Sequence, residues 1–114
     1  MLLLPLWERV IIIYLMRVLS RKTLHNFWEM PAHRNAEQPL KAWFREALKA
    51  RWANSGAVKA AYRSASIVAN NRVVFNVAGN KYRLVVKMNY RYGIAYIRFI
   101  GTHKEYDQID VTEV

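Results

Sequence analysis

RVVFNVAGNKYRLVVKMNY (residues 72–90) and YIRFIGTHKEYD (residues 96–107) decide the fold of this 114-residue chain. Apolar and polar side chains alternate in both blocks with a period of two, which is typical of strands with one buried face. Gly79 and Asn80 separate two of the runs and predict a hairpin turn. The blocks therefore predict three adjacent strands, whose core-facing residues are Val73, Phe75, Val77, Tyr82, Leu84, Val86, Met88, Tyr90, Ile97 and Phe99.

The opposite face of the predicted sheet is unusually basic. It should carry Arg72, Asn76, Lys81, Arg83, Lys87, Arg91, Tyr96 and Arg98, with His103, Lys104 and Tyr106 following the last strand. A solvated face needs polar residues, but it does not need residues that are nearly all cationic. Cations combined with histidine and tyrosine suit a phosphate polyanion.

Composition supports the same class of partner. The segment 17–104 holds 17 of the 18 Lys and Arg residues and only three Glu, whereas four acidic residues follow within residues 105–113. This asymmetry favours nucleic acid over a membrane surface, and a merely soluble basic protein is the alternative. The length predicts one domain, and the absence of cysteine is compatible with a reducing cytoplasm.

The first fifteen residues, MLLLPLWERVIIIYL, differ from the rest. Glu8 and Arg9 interrupt the apolar run, which is then too short for a membrane-spanning helix, and the pattern of a secretory signal is missing. Our hypothesis is that translation begins at Met16 and that residues 1–15 are an upstream extension. The alternative is that Val10 to Leu15 lengthens a first strand. We therefore divide the chain into residues 1–15, a domain at 16–110 and a tail at 111–114.

Two or three helices should precede the sheet. Ser20 can cap a helix that ends before Pro31, and apolar residues at spacings of three and four after Pro39 predict a second helix. A shorter helix is expected within residues 58–65. The sequence thus predicts an α+β domain in which the helices cover the apolar face of an antiparallel sheet of about four strands. The tryptophans should be core residues.

The residue inventory narrows the possible chemistry. The three histidines are far apart in sequence and the basic segment has few carboxylates, so we expect no metal or other cofactor. There is no cysteine and no Gly-x-Ser-x-Gly elbow for nucleophilic acyl chemistry. Metal-free cleavage of RNA is compatible with these residues. That reaction needs a base for the 2′-hydroxyl, an acid for the departing 5′-oxygen and cations for the phosphate.

The motif FNxxGNKYRL, followed about twenty residues later by THKEYD, resembles the HigB family of type II toxins in the RelE-like superfamily. The resemblance covers roughly Met16 to Asp110. It implies a RelE-like fold and an endoribonuclease that cuts translated mRNA on the ribosome, and hence a cytoplasmic protein. It also implies a cognate antitoxin, expected to be a helix-turn-helix protein that binds DNA.

Site residues follow from the same resemblance. It implies phosphate stabilisation by Arg83, general acid or base work by His103, and base stacking or proton transfer by Tyr106. Lys87 and Lys104 are further catalytic candidates. The residues expected to hold the RNA backbone are Lys59, Arg63, Arg72, Arg91 and Arg98.

Two other functions remain open at this point. A basic sheet face with aromatic residues also describes a protein that binds RNA or the ribosome without cutting it. An inactivated toxin that forms a repressor complex with its antitoxin is the other alternative. Loss of cleavage in Arg83→Ala or His103→Ala, with binding retained, would separate the enzyme from the binding protein. Loss of toxicity in the wild type, with antitoxin binding intact, would favour the inactivated toxin.

Overall fold

The computed structural model of the protein describes residues 16–114. The hypothesis about the translation start and the alternative strand at Val10 to Leu15 lie outside the described residues. The elements in chain order are β1 (Arg17–Leu19), α1 (Arg21–Glu29), a 3-10 helix (Pro31–Ala36), α2 (Glu37–Lys49), α3 (Ser55–Ala61), β2 (Ser66–Val68), β3 (Arg72–Val77), β4 (Tyr82–Asn89), β5 (Ile94–Thr102) and α4 (His103–Tyr106).

The sheet has five strands in the order β1-β5-β4-β3-β2. The three predicted strands are its antiparallel centre, β3, β4 and β5. Short strands occupy both edges: β2 pairs antiparallel with β3, whereas β1 pairs parallel with β5. The predicted α+β class is confirmed, and the parallel β1 makes the sheet mixed.

The helices cover one face of this sheet and form the core with it. Leu24 and Trp28 of α1 and Leu40 and Trp43 of α2 are buried. Trp43 meets Phe75 of β3 edge to face, with the ring centroids 5.3 Å apart. The predicted amphipathic helices are thus confirmed, and the tryptophans among the described residues, Trp28, Trp43 and Trp52, are core residues as predicted. None of the helices described between residues 16 and 114 has the length and apolarity needed to cross a bilayer.

A β-bulge in β5 changes the predicted faces. Val85 pairs with Phe99 and Val86 pairs with Ile97, so Arg98 has no partner on β4. A bulge shifts the side-chain alternation by one residue. Ile97 remains against the helix-covered core, but the prediction that Phe99 lies there is wrong. Phe99 instead lies on the open face, the face opposite the helices, together with Val85.

The C-terminal segment lies against the start of β3. The Asn70 side chain donates to the carbonyl oxygen of Thr112 over 3.2 Å, and Arg72 Nη2 donates to that of Val114 over 2.6 Å. Arg72 is only 7% exposed. Arg72, which was predicted to hold the RNA backbone, thus has a buried guanidinium that is bonded to backbone carbonyls.

Lys59 holds the chain that leaves α3. Its Nζ donates to the carbonyl oxygens of Arg63 and Ala65, each over 2.6 Å. At the other end of α3, the Asn54 side chain accepts a hydrogen bond from the backbone N–H of Ala57 over 2.9 Å. The ammonium group that was predicted to hold RNA is therefore engaged in the turn between α3 and β2.

We predict that Lys59→Ala lowers the free energy of unfolding by about 1–2 kcal/mol, because two carbonyl groups lose a charged hydrogen-bond donor. Urea denaturation measures this change. Lys22→Ala is the matched control, since Lys22 is an exposed lysine in α1. If Lys59→Ala instead weakens RNA binding more than Lys22→Ala without loss of stability, Lys59 contacts RNA directly.

Candidate active site

Two predicted catalytic residues meet at one end of the open face. Arg83 lies near the start of β4, and His103 begins α4 directly after β5. Nη2 of Arg83 donates toward Nδ1 of His103 over 3.4 Å. Nη1 of Arg83 donates to the carbonyl oxygens of Asn80 and Tyr82 over 3.0 and 3.3 Å. The hairpin turn thus holds the guanidinium in place while Nη2 faces the imidazole.

The strand register explains why these residues are neighbours. Arg83 pairs with Gly101, two residues before His103. The backbone N–H of His103 donates to the carbonyl oxygen of Lys81 over 3.2 Å. A Cβ atom at position 101 would lie 2.5 Å from Cζ of Phe99. Because residue 101 is glycine, the Phe99 ring can occupy the space that a side chain at this position would fill.

A capping box orients α4. Oγ1 of Thr102 accepts from the backbone N–H of Glu105 over 3.1 Å, and Oε1 of Glu105 accepts from the backbone N–H of Thr102 over 2.9 Å. This reciprocal pair satisfies donors that a helix start leaves free. Hydrogen bonds with Thr102 lower the pKa of Glu105 below its ordinary value. The bond from the Thr102 backbone has the larger effect, and the bond with the Thr102 side chain has the smaller one.

The lowered pKa of Glu105 predicts a pH-dependent contribution to stability. The contribution is present above the ordinary glutamate pKa and is lost as the pH falls through the lower folded value. We expect Glu105→Ala to lower the free energy of unfolding at pH 7 by less than about 1 kcal/mol, because the carboxylate is largely exposed and screened. Urea denaturation at pH 7 and pH 2.5 measures the difference. Glu113→Ala is the control, and an equal loss at both pH values would contradict the prediction.

The other residues of α4 complete this end of the site. Lys104 is exposed, and Tyr106 is half-buried. The Tyr106 ring lies 6.5 Å from the Phe99 ring, tilted by 50°. The bulge that turns Phe99 to the open face therefore gives Tyr106 an aromatic neighbour. Four predicted catalytic residues, Arg83, His103, Lys104 and Tyr106, lie at this end, which we call the Arg83 end.

A second group of cations lines a cleft farther along the same face. Lys87, Arg91 and Arg98 are among its lining residues, and its volume is about 600 Å³. The other lining residues are Asn71, Met88, Asn89, Tyr90 and Tyr96. Lys87 follows Arg83 by four residues of strand, so the cleft begins about 13 Å away. The predicted site residues thus form two groups on one face, with Lys87 in the cleft and not beside Arg83.

A family model described as HigB_toxin, the RelE-like toxic component of a toxin-antitoxin system, matches residues 36–109. This chain belongs to the HigB toxin family. The match includes both the Arg83 end and the cleft, and it confirms the resemblance carried by the GNKYRL and THKEYD motifs. No curated protein matches the chain significantly.

Membership of the HigB family indicates the biological system to which the chain belongs. It is the RelE-like toxin of a toxin-antitoxin system, and a cognate antitoxin is implied. Members of the RelE-like toxin family are typically RNases. Among residues 16–114, no three histidine, aspartate or glutamate side chains come together as possible metal ligands.

The remaining predicted RNA-binding residue of the toxin, Arg63, lies beside the Arg83 end. The Asn76 side chain donates to the carbonyl oxygen of Ser64 over 3.4 Å, and Asn76 pairs with Arg83 in the sheet. The turn that carries Arg63 is thereby held against β3, at the residue that pairs with Arg83. Lys59 supports this turn, and Arg63 is exposed.

Sequence reasoning missed one residue of the Arg83 end. Asp107 was counted only among the four acidic residues within residues 105–113, but its Oδ1 lies 3.6 Å from Nε2 of His103. The signal was present in the sequence, because residues four apart in HKEYD meet on one helical turn. The site therefore contains a carboxylate on the far side of the imidazole from Arg83.

Proposed function

We propose that this toxin is a metal-independent endoribonuclease that cleaves translated mRNA and so inhibits translation. The observation that carries the proposal is the Arg83–His103 pair, in which a fixed guanidinium and an imidazole lie 3.4 Å apart on an exposed basic face. A cation and a proton-transfer group at such a distance can act on one phosphodiester. The family of RelE-like toxins supports the same substrate class.

The proposed reaction is an internal transfer within RNA. The 2′-oxygen forms a bond to phosphorus while the bond from phosphorus to the 5′-oxygen breaks. The proton of the 2′-hydroxyl passes to a base, and an acid supplies a proton to the departing 5′-oxygen. The products are a 2′,3′-cyclic phosphate and a 5′-hydroxyl. Arg83 stabilises the negative charge on the phosphate oxygens, which develops most strongly in the transition state.

His103 and Tyr106 are proposed to transfer the protons. Tyr106 is alternatively proposed to stack on a nucleobase of the RNA. The imidazole of His103 is a group that can serve as a general acid or a general base. Tyr106 can donate through its hydroxyl, or its ring can stack on a base beside Phe99. Lys104 lies on the same turn and adds positive charge near the phosphate.

The cleft is proposed to bind the RNA beyond the scissile phosphate. Lys87, Arg91 and Arg98 offer three cations to successive phosphates, and Tyr90 and Tyr96 offer aromatic surface. Arg63 is proposed to contact RNA or ribosomal backbone near the Arg83 end. The ribosome, mRNA and a helix-turn-helix antitoxin are the proposed partners, which places the protein in the cytoplasm.

Induction of the full chain in bacteria tests this function, with mapping of mRNA 5′ ends within minutes. We expect growth arrest and new ends inside translated frames, and both should be suppressed by the antitoxin from the neighbouring gene. The new ends should carry 5′-hydroxyl groups, and cleavage of mRNA on purified ribosomes should persist after EDTA treatment that leaves the ribosomes intact. Normal growth with unchanged ends, despite abundant folded protein, would favour RNA binding without cleavage or a repressor role.

A further inference from the structure

We propose that Asp107 is a positioning residue for His103. In this assignment the Asp107 carboxylate keeps the imidazole proton on Nε2, so that Nδ1 faces Arg83 as the base that receives the 2′-hydroxyl proton. The inference rests on the proposed function for its catalytic part. The preference for one tautomer is a property of the folded protein and can be measured without RNA.

Three contacts surround the His103 ring and its backbone. Nδ1 faces Nη2 of Arg83 at 3.4 Å, and Nε2 faces Oδ1 of Asp107 at 3.6 Å. The backbone N–H of Asp107 donates to the carbonyl oxygen of His103 over 3.1 Å. The same helical turn therefore carries both side chains and sets their separation.

The chemistry of the two neighbours assigns the proton. Arginine has only N–H donors, so the imidazole nitrogen that faces Arg83 must present a lone pair. An ionised carboxylate only accepts, so the Asp107 carboxylate, 3.6 Å away, favours a proton on the nitrogen that faces it. Both neighbours therefore favour the same neutral tautomer, with Nδ1 unprotonated.

The tautomer decides what His103 can do beside the phosphate. With Nδ1 unprotonated, the proton acceptor lies next to the guanidinium that binds the phosphate oxygens. When the phosphate draws Nη2 of Arg83 away, the lone pair of Nδ1 can take the 2′-hydroxyl proton, and the ring becomes a cation between Arg83 and Asp107. The carboxylate stabilises that cation on the side away from RNA and offsets the repulsion from Arg83. Asp107 itself contacts neither RNA nor the reacting atoms.

Asp107→Asn tests the proposal, because asparagine keeps the size of the side chain but can also donate a hydrogen bond to Nε2. We expect the cleavage rate at saturating substrate to fall about tenfold while KM changes less than about twofold. The loss should be smaller than the roughly 10²- to 10⁴-fold effect of removing a general base, because the imidazole remains. Asp107→Glu should recover most of the rate.

Asp110→Asn is the matched control. Asp110 is another aspartate near the C-terminus, and its Oδ1 accepts from the backbone N–H and the hydroxyl of Thr112. Both variants remove one negative charge from a protein that binds a polyanion, so general electrostatic effects on RNA binding should be similar. Only Asp107→Asn should slow the chemical step.

Nitrogen-15 NMR of histidine-labelled protein measures the tautomer directly at a pH where His103 is neutral, and His103→Gln identifies the signals. We expect the wild type and Asp110→Asn to carry the proton on Nε2, and Asp107→Asn to show a larger fraction of protein protonated on Nδ1, a fraction that Arg83 limits because it still favours a lone pair there. An unchanged tautomer, or a cleavage rate within twofold of the wild type, would overturn the positioning role. If the wild type cleaves no RNA but the tautomer depends on Asp107, the proposed function fails and the positioning survives.

Discussion

Arg83→Ala should lower the rate of mRNA cleavage at saturating substrate by about 10²- to 10³-fold. The guanidinium is held by the carbonyl oxygens of Asn80 and Tyr82, so its position is set before RNA binds. A donor that is already in place stabilises the transition state without reorganisation. Rapid-quench measurement on mRNA bound to programmed ribosomes gives the rate and, from its concentration dependence, the affinity.

Two further variants test whether the loss of rate in Arg83→Ala comes from lost phosphate stabilisation. Arg83→Lys should recover only part of the rate, because an ammonium is a point charge and cannot reproduce the planar fork of arginine. Arg98→Ala removes the same charge from the cleft and should weaken binding while retaining most of the rate at saturation. If Arg83→Ala loses affinity but keeps the rate, Arg83 is a binding residue and the proposed transition-state role is wrong.

The double variant Lys87→Ala with Arg98→Ala should weaken RNA binding by about 10- to 100-fold at low salt. Both residues line the cleft, and their loss removes two of its three cations. Each lost phosphate contact should also reduce the slope of log affinity against log salt by about 1. Fluorescence anisotropy with labelled RNA, measured over a range of salt concentrations, gives both quantities.

The matched control for the cleft is the double variant Lys22→Ala with Arg45→Ala. Lys22 and Arg45 are exposed on α1 and α2, and their loss changes the net charge by the same amount. We expect a smaller loss of affinity and an unchanged salt slope. Equal effects of the two double variants would mean that RNA responds to the overall charge of the toxin and that the cleft is not the binding site.

Periodic patterns in the sequence were enough to predict the α+β class and the central sheet. The apolar stripe of α2 and the alternation in β3 and β4 are local signals, and both led to elements that the structure contains. The motifs GNKYRL and THKEYD were also local, and the resemblance that they carried is confirmed by the family match. The basic character of one sheet face required only the order of residues along the strands.

Local patterns did not reveal where the two central strands align. The register that pairs Arg83 with Gly101 brings His103 to the guanidinium, and the i,i+4 turn then brings Asp107 to His103. The bulge at Arg98 turned Phe99 away from the helices and toward Tyr106. A strict period of two cannot represent an extra residue in one strand.

The sequence by itself determined which features are present. These are a basic sheet face, helices that pack on the opposite face, and the residues from which a phosphodiester-cleaving site can be built. Only the tertiary structure decided which of these residues meet. It separated Lys87 from Arg83, engaged Lys59 with backbone carbonyls and buried Arg72 beside the C-terminal segment. The physical reason is that alternation along a strand depends on adjacent residues, whereas register, burial and charge pairing depend on residues far apart in the chain.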